Sequence, residues 1–365
     1  MIQSGEKIDT ISIRNYKSIK SCDLFLNGIN ILIGANGAGK SNFISVFTLL
    51  RNIFEKRLRY HVSYSGGPDS LLWFGRKESE NITIDIHFGN NGYGCTLTPT
   101  KDNQMMFEKE WFSWDRYSGI GGKYSIGTGH LESAWEEGTG TGIDKYVKPH
   151  VLEWVVYHFH DTSDTAKVKQ IQAINDNRQL NPDAANLAPY LYSIKQTHPE
   201  IYQRIRRTIQ YVAPFFDDFV LLPKQDNPDF IELEWRSVHS TRPFKAADLS
   251  DGTLRFICLA VLLLQPLGRI PKTVILDEPE LGLHPAALVL LAGMIKSLGE
   301  DRQIIISTQS AYLLNEFPPE NVIVVDYQDG ESTFTRLSTR NDLDEWLDEY
   351  LLGDLWSMNL IGGRP

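Results

Sequence analysis

The 365 residues include 36 Lys and Arg against 46 Asp and Glu, a formal net charge of −10, and 42% are apolar. Such a chain can bury a substantial core in one large domain or two small ones, and any nucleic-acid contact must come from local basic patches. The longest apolar stretch, residues 256–267, is too short for a membrane span and holds Pro266, the start lacks a signal-peptide pattern, and Cys22, Cys95 and Cys258 are too scattered for a disulfide framework or a zinc motif; a cytoplasmic protein fits best.

Residues 8–19 alternate roughly and predict an opening strand, with residues 24–26 as its partner. Residues 30–33 read as a short buried strand and residues 42–58 as a helix, with Phe43, Val46, Phe47, Leu50, Ile53 and Phe54 at helical spacing. The alternation of residues 82–88 predicts a strand, and residues 93–97 and 105–114 two more. Residues 118–143 are rich in Gly, Ser and Thr and read as loop. A buried strand is expected over 151–159, helices over 186–196 and 199–212, and a strand over 231–235. An α/β texture then returns: a very apolar helix over 252–264, a strand over 273–276, a helix over 285–298 with Pro285 in its first turn, strands over 303–307 and 321–326, and an acidic helix over 342–351. No internal repeat is evident.

The segment Gly34-Ala35-Asn36-Gly37-Ala38-Gly39-Lys40-Ser41 matches the phosphate-binding pattern G-x-x-x-x-G-K-[ST] at every fixed position, and it joins a predicted strand to a predicted helix, as that chemistry requires. Its glycines let the backbone amides of Asn36, Gly37, Ala38, Gly39, Lys40, Ser41 and Asn42 curl around phosphates at a helix N-terminus. Lys40 is expected to reach the β- and γ-phosphates of ATP, and the Ser41 hydroxyl to ligate Mg²⁺.

Far downstream, Val274-Ile275-Leu276 runs into Asp277-Glu278-Pro279. An apolar strand ending in two carboxylates puts them at the carboxyl edge of a sheet, where ligands bind in open α/β folds. Asp277 is placed to hold the Mg²⁺ shell and Glu278 to polarise an attacking water. Leu249-Ser250-Asp251-Gly252-Thr253 opens the apolar helix: Ser250 suits its cap, and Gly252 admits an anion close to the backbone.

These motifs, with Leu281-Gly282-Leu283-His284-Pro285 and the opening Ile13-Arg14-Asn15-Tyr16-Lys17-Ser18, resemble in order the motif set of ABC-type ATPase heads, in particular the SMC/RecF/OLD-like branch with its small AAA-type ATPases. The resemblance covers the first 60 and last 120 residues well and the middle poorly. It implies an α/β P-loop NTPase of ABC-ATPase type, a mixed sheet flanked by helices, with an inserted β-rich and helical lobe. The expected division is 1–60 and 246–365 for the two parts of the head and 61–245 for the insertion. It further implies a head-to-head homodimer or higher oligomer enclosing two ATPs, with Ser250 and Gly252 of one subunit on the γ-phosphate of the other and residues 280–284 at the dimer contact.

The resemblance also makes residues 304–310 the switch strand. That strand usually ends in His; Gln309 stands here, which can hydrogen-bond a γ-phosphate or water but carries no proton, so slow hydrolysis is expected. The glutamine loop of such heads has no clear match. His160 or Asp161 in Tyr157-His158-Phe159-His160-Asp161-Thr162-Ser163 could substitute, the same residues could be plain strand-end residues, and a separate metal site is a third reading. Without sustained heptads any arm is short.

Arg51, Lys56, Arg57 and Arg59, or Arg204, Arg206 and Arg207, could meet a phosphate backbone or simply be solvated. No Toprim acidic cluster or helix-turn-helix is evident, so a nuclease would be a separate protein. The expectation is an ATP-hydrolysing dimer in DNA maintenance or phage defence that controls an effector, with DNA a further candidate partner and no membrane. An ATP sensor with little turnover comes second. A transporter ATPase subunit comes third, because the central insertion is too large and strand-rich for it.

Overall fold

The computed structural model describes residues 7–114, 122–136, 142, 144–339 and 343–363. They divide into two compact units: Met1–Val156 with Lys272–Asp277 and Gly299–Pro365, and Tyr157–Pro271 with Glu278–Leu298. The middle of the chain is thus shared between the two units.

In the first unit the opening residues form a hairpin rather than one long strand. Thr10–Tyr16 pairs antiparallel with Ile19–Phe25, and Ile11 faces Leu24 across the pair. Asn15 (φ 56°) and Lys17 (φ 50°) take left-handed backbone at the reversal, a turn that the alternating pattern concealed. This hairpin edges an antiparallel sheet continued by Ile82–Phe88, Asn91–Pro99, Met105–Trp114 and Gly122–Gly127. The last strand falls within the stretch read as loop; residues 115–121, 137–141 and 143 of that region lie outside the described residues.

The second sheet of this unit is mixed. Val322–Gln328, Ile29–Ile33, Gln303–Thr308 and Thr273–Asp277 run parallel as neighbours in that order. Glu331–Arg336 adds antiparallel at one edge, an unforeseen strand whose signal was the Asp329-Gly330 turn, with both residues at positive φ. The helix Lys40–Phe54 is apolar on most of its circumference because both sheets contribute to the core around it. Phe43, Phe47, Leu50 and Phe54 share one cluster with Ile13, Ile84 and Tyr93 of the antiparallel sheet and with Leu32, Ile275 and Ile305 of the mixed sheet. The helix stops earlier than its pattern suggests, at the left-handed Lys56, and Leu58–Tyr64 forms a separate helix.

Two further expectations need correction. The stretch 151–159 is not one strand: Asp144–Glu153 is helical and only Val155–Tyr157 is extended. Val147 and Val151 are both fully buried one helical turn apart, a periodicity that the apolar run following them masked. The acidic helix expected over 342–351 is reduced to Asp344–Leu347, followed after the extended Leu351 by Leu352–Ser357; Asp342 lies outside the described residues.

The second unit holds the helices Leu187–Thr197, Pro199–Val212 and Asp251–Leu264, most of the helix Pro285–Gly299, and a three-stranded antiparallel sheet of Phe216–Val220, Glu234–Ser237 and Pro243–Lys245. The helix Asp251–Leu264 is buried from Phe256 through Leu264 without a break, which is why it reads as apolar all round. Tyr190, fully buried, sends its hydroxyl to Gln265 at the end of that helix.

Candidate nucleotide site

Three parallel strands of the first unit bring their carboxyl ends level. Asp277 pairs in register with Ser307, Ser307 with Leu32, and Thr308 with Ile33. The phosphate-type loop leaves the first of these ends, Asp277 closes the second, and Gln309 follows the third.

The loop is shaped by close approach. A Cβ on Gly34 would stand 2.3 Å from the Val325 carbonyl oxygen, and one on Gly39, at φ 114°, would stand 2.1 Å from Ser332 Oγ. Gly37, at φ 80°, has open space around it. Gly39 is the N-cap of the 15-residue helix but offers no side-chain cap, and the first turn holds no acidic residue, so the helix presents bare amides to an anion. Ala38 is buried, whereas Asn36, Gly37 and Ser41 are exposed. Lys40 is only 4% exposed, and its ammonium donates to the carbonyls of Gly34 (2.7 Å) and Ala35 (2.9 Å). Those carbonyls satisfy a buried charge while the lysine lies folded across its own loop.

Beside the loop, Asn42 Nδ2 donates to Ser18 Oγ (2.7 Å), which also receives the Ser332 hydroxyl (2.7 Å). This chain ties the helix start to the opening hairpin and to the edge strand. Ser45 Oγ in turn meets the Tyr16 hydroxyl (2.9 Å) and accepts from Lys17 Nζ (3.0 Å). Burial pushes the Tyr16 hydroxyl well above the ordinary tyrosine range and lowers the Lys17 ammonium from its usual value.

At the strand ends, Ser307, fully buried, donates its hydroxyl to Asp277 Oδ1 and so orients that carboxylate. The Ser310 amide donates to Thr308 Oγ1 (3.0 Å), and the Ser310 hydroxyl caps Ala311–Leu314 by accepting from the Leu313 amide (3.1 Å). Gln309, half-buried, sits in the turn these bonds define. No group of three or more His, Cys, Asp or Glu that could hold a metal ion occurs among the described residues. The donors at this edge, one hydroxyl and one carboxylate, suit Mg²⁺, which keeps waters and takes phosphate oxygens.

The second unit contains Glu278, Ser250 and Gly252. Glu278 has left-handed backbone (φ 45°) although it carries a side chain and precedes a proline, a strained arrangement costing on the order of 1–3 kcal/mol. Ser250 is exposed and caps its helix, its hydroxyl accepting from the Thr253 amide (3.3 Å). A Cβ on Gly252 would stand 2.3 Å from the carbonyl oxygen of Gly282, so the helix start and the loop after the carboxylates touch backbone to backbone.

Arg255 was not singled out by sequence reasoning, because a lone helical arginine carries no signal. Its guanidinium donates to the carbonyls of Phe159 (3.2 Å), His160 (2.9 Å) and Leu281 (3.1 Å) and to Thr162 Oγ1 (3.3 Å). One side chain thereby fastens the polar 159–162 loop and the 281–282 loop to the helix that Ser250 caps. In that loop, hydrogen bonds from Ser163 hold the Asp161 carboxyl below its usual range. Among the basic residues, Arg206 pairs with Asp217 (2.8 Å), Arg51 pairs with Glu55 (2.9 Å), and Arg204 and Arg207 are exposed.

Comparison with known proteins agrees with this architecture. Residues 147–315 match the family model described as "AAA domain, putative AbiEii toxin, Type IV TA system", and residues 7–120 match "AAA ATPase domain". The chain is 25% identical over 390 residues to Old nuclease of Escherichia phage P2, an alignment covering 93% of this chain and 62% of that protein. It therefore spans less than two thirds of that relative. Among solved structures, an Smc head bound to the C-winged helix domain of ScpA aligns with a TM-score of 0.58 at 15% identity, over 93% of this chain and 99% of the other. An Smc head with an extended coiled coil, bound to the C-terminal domain of ScpA from Pyrococcus furiosus, aligns with a TM-score of 0.55 at 13% identity, over 94% and 99%. The fold, a mixed sheet flanked by helices, is similar to that of these Smc heads. Fold and matches together support the resemblance drawn from the motifs: an ATPase head of the ABC, SMC and OLD-like kind.

Proposed function

We propose that this chain is a cytoplasmic ATP hydrolase whose copies close around ATP and Mg²⁺, acting in DNA maintenance or phage defence by controlling a separate effector such as a nuclease. The observation that carries this reading is the convergence of the phosphate-type loop, Asp277 and Gln309 on one sheet edge. Residues 36–42 supply amides, and Lys40 exchanges the Gly34 and Ala35 carbonyls for the β- and γ-phosphates. Ser41 and Asp277, the latter oriented by Ser307, are the residues that would hold Mg²⁺, which when bound neutralises charge on the phosphates. Glu278 polarises the attacking water, its strained backbone setting the direction of the carboxylate. Ser250 and Gly252 face the γ-phosphate held by the other copy.

Kinship with Old nuclease supports an effector of nuclease type. DNA contact is part of the same proposal, through exposed arginines such as Arg204 and Arg207. Gln309 favours one alternative, an ATP sensor with little turnover, because an amide cannot relay a proton.

The deciding experiment is solution mass with and without Mg-ATP for wild type and Glu278→Gln, which keeps binding and removes water activation. An ATP-dependent rise in mass, clearest in the variant, is expected. Tight ATP binding with unchanged mass would refute the shared site and the roles of Ser250 and Gly252. ATP-dependent association without phosphate release from wild type would select the sensor.

A further inference from the structure

One short segment of the first unit, residues 352–363, touches both phosphate-facing pieces of that unit. At one end, Gly353 packs on Ala311–Leu314, the helical turn directly after Gln309. Its amide donates to Asn315 Oδ1 (2.6 Å), and a Cβ there would stand 2.3 Å from the Ala311 carbonyl oxygen. Leu352 and Leu355 are buried, as are Leu313 and Leu314.

At the other end, Gly363 lies against the start of the phosphate-type loop: a Cβ on it would stand 3.4 Å from Gly34 Cα and 2.9 Å from Val324 Cγ1. Gly34 therefore lies close to both the Val325 carbonyl and Gly363. Gly363 is itself held twice, its amide donating to Asp326 Oδ1 (2.6 Å) and its carbonyl accepting from Trp356 Nε1 (3.2 Å). Gly362 and Gly363 both have positive φ (84° and 77°), which lets the backbone come this close. Gly34, whose Cα the segment approaches, supplies one of the two carbonyls that hold Lys40.

Resting on the ATPase reading above, we propose that residues 352–363 are a positioning brace of the nucleotide site. They hold Gly34 where Lys40 can exchange carbonyl for phosphate, and they mechanically link the phosphate loop to the turn carrying Gln309. Trp356 is the positioning residue of the loop end and Gly353 that of the switch end. Neither touches nucleotide.

The first measurement needs no variant: amide hydrogen exchange of residues 352–363 in the intact chain with and without Mg-ATP. Binding at the loop should slow exchange throughout the segment. The second compares Trp356→Phe and Gly353→Ala. Trp356→Phe removes one hydrogen bond to the loop end, so its Kd for Mg-ATP should rise about five-fold, with kcat changed less. Gly353→Ala lifts the segment off the switch turn, so kcat should fall with KM changed less. A purely structural role would lower the melting temperature and scale both constants with the folded fraction, without this split. The proposal is overturned if wild type binds Mg-ATP while exchange of 352–363 does not respond, or if both folded variants keep wild-type constants. If wild type fails to bind Mg-ATP, the ATPase reading falls and the brace with it, a result already visible before any variant is made.

Discussion

Gly37 and Gly39 both have positive φ within one loop, yet the structure assigns them different sensitivities to a methyl group. Gly37 (φ 80°) has nothing within 4 Å of a built Cβ, so Gly37→Ala should cost only the left-handed strain of an L-residue, about 1–2 kcal/mol. Gly39 (φ 114°) would place its Cβ 2.1 Å from Ser332 Oγ and 2.9 Å from Ser18 Oγ. Ser332 is 1% exposed and bonded to Ser18, so it cannot swing into solvent. Overpacking of about 1–3 kcal/mol then adds to backbone strain of about 1–3 kcal/mol, for a total of about 2–6 kcal/mol. Urea unfolding midpoints at constant slope measure both costs. Adding Ser332→Gly should recover about 2 kcal/mol of the Gly39→Ala loss beyond what Ser332→Gly costs alone, a coupling that a double-mutant cycle isolates. Equal costs for the two glycine substitutions, or strict additivity with Ser332→Gly, would refute the argument that Ser332 makes residue 39 a glycine.

Burial, reinforced by Lys17, depresses the His61 imidazole to about 4 from an ordinary 6.5, and its Nε2 has no hydrogen-bond partner among the described residues. The unfolded chain takes up this proton first, so the contribution is complete above pH 6.5 and is lost as pH falls toward 4; wild type should lose about 3 kcal/mol more over that window than His61→Asn in urea unfolding. Arg255→Lys replaces a fork reaching three carbonyls by a point charge. It should cost about 1–3 kcal/mol and speed hydrogen exchange at residues 159–162 and 281–283 together; acceleration of only one loop would argue against a shared clamp. If Gln309 limits proton transfer, Gln309→His should raise phosphate release by roughly ten-fold or more at unchanged ATP affinity, and a slower variant would assign Gln309 a purely steric role.

Much of the local structure of the candidate site could be read from the sequence because its parts are local. A strand, a glycine-rich turn and a lysine at the first helical turn are specified within a dozen consecutive residues, and so is an apolar strand that ends in Asp277-Glu278. Ser250 was likewise recognisable as a cap by its place before an apolar helix. These readings depend on steric and hydrogen-bonding rules that act over a few residues.

Turns and short apolar runs were harder. Reversal at Asn15 and Lys17 needed left-handed backbone at residues that do not demand it, and residues 151–159 fit helix and strand alike until Val147 and Val151 were seen to be buried together. What only the tertiary structure decided is which distant backbones meet. Gly39 is kept small by Ser332, Gly34 by Val325, and Gly252 by Gly282; Arg255 joins three segments, and residues 61–156 belong with residues 1–60 rather than with the helical unit. Such contacts come from close packing and from the pairing of buried polar groups between distant segments, as with Ser18 and Ser332, 314 residues apart, and no pattern along the chain encodes them.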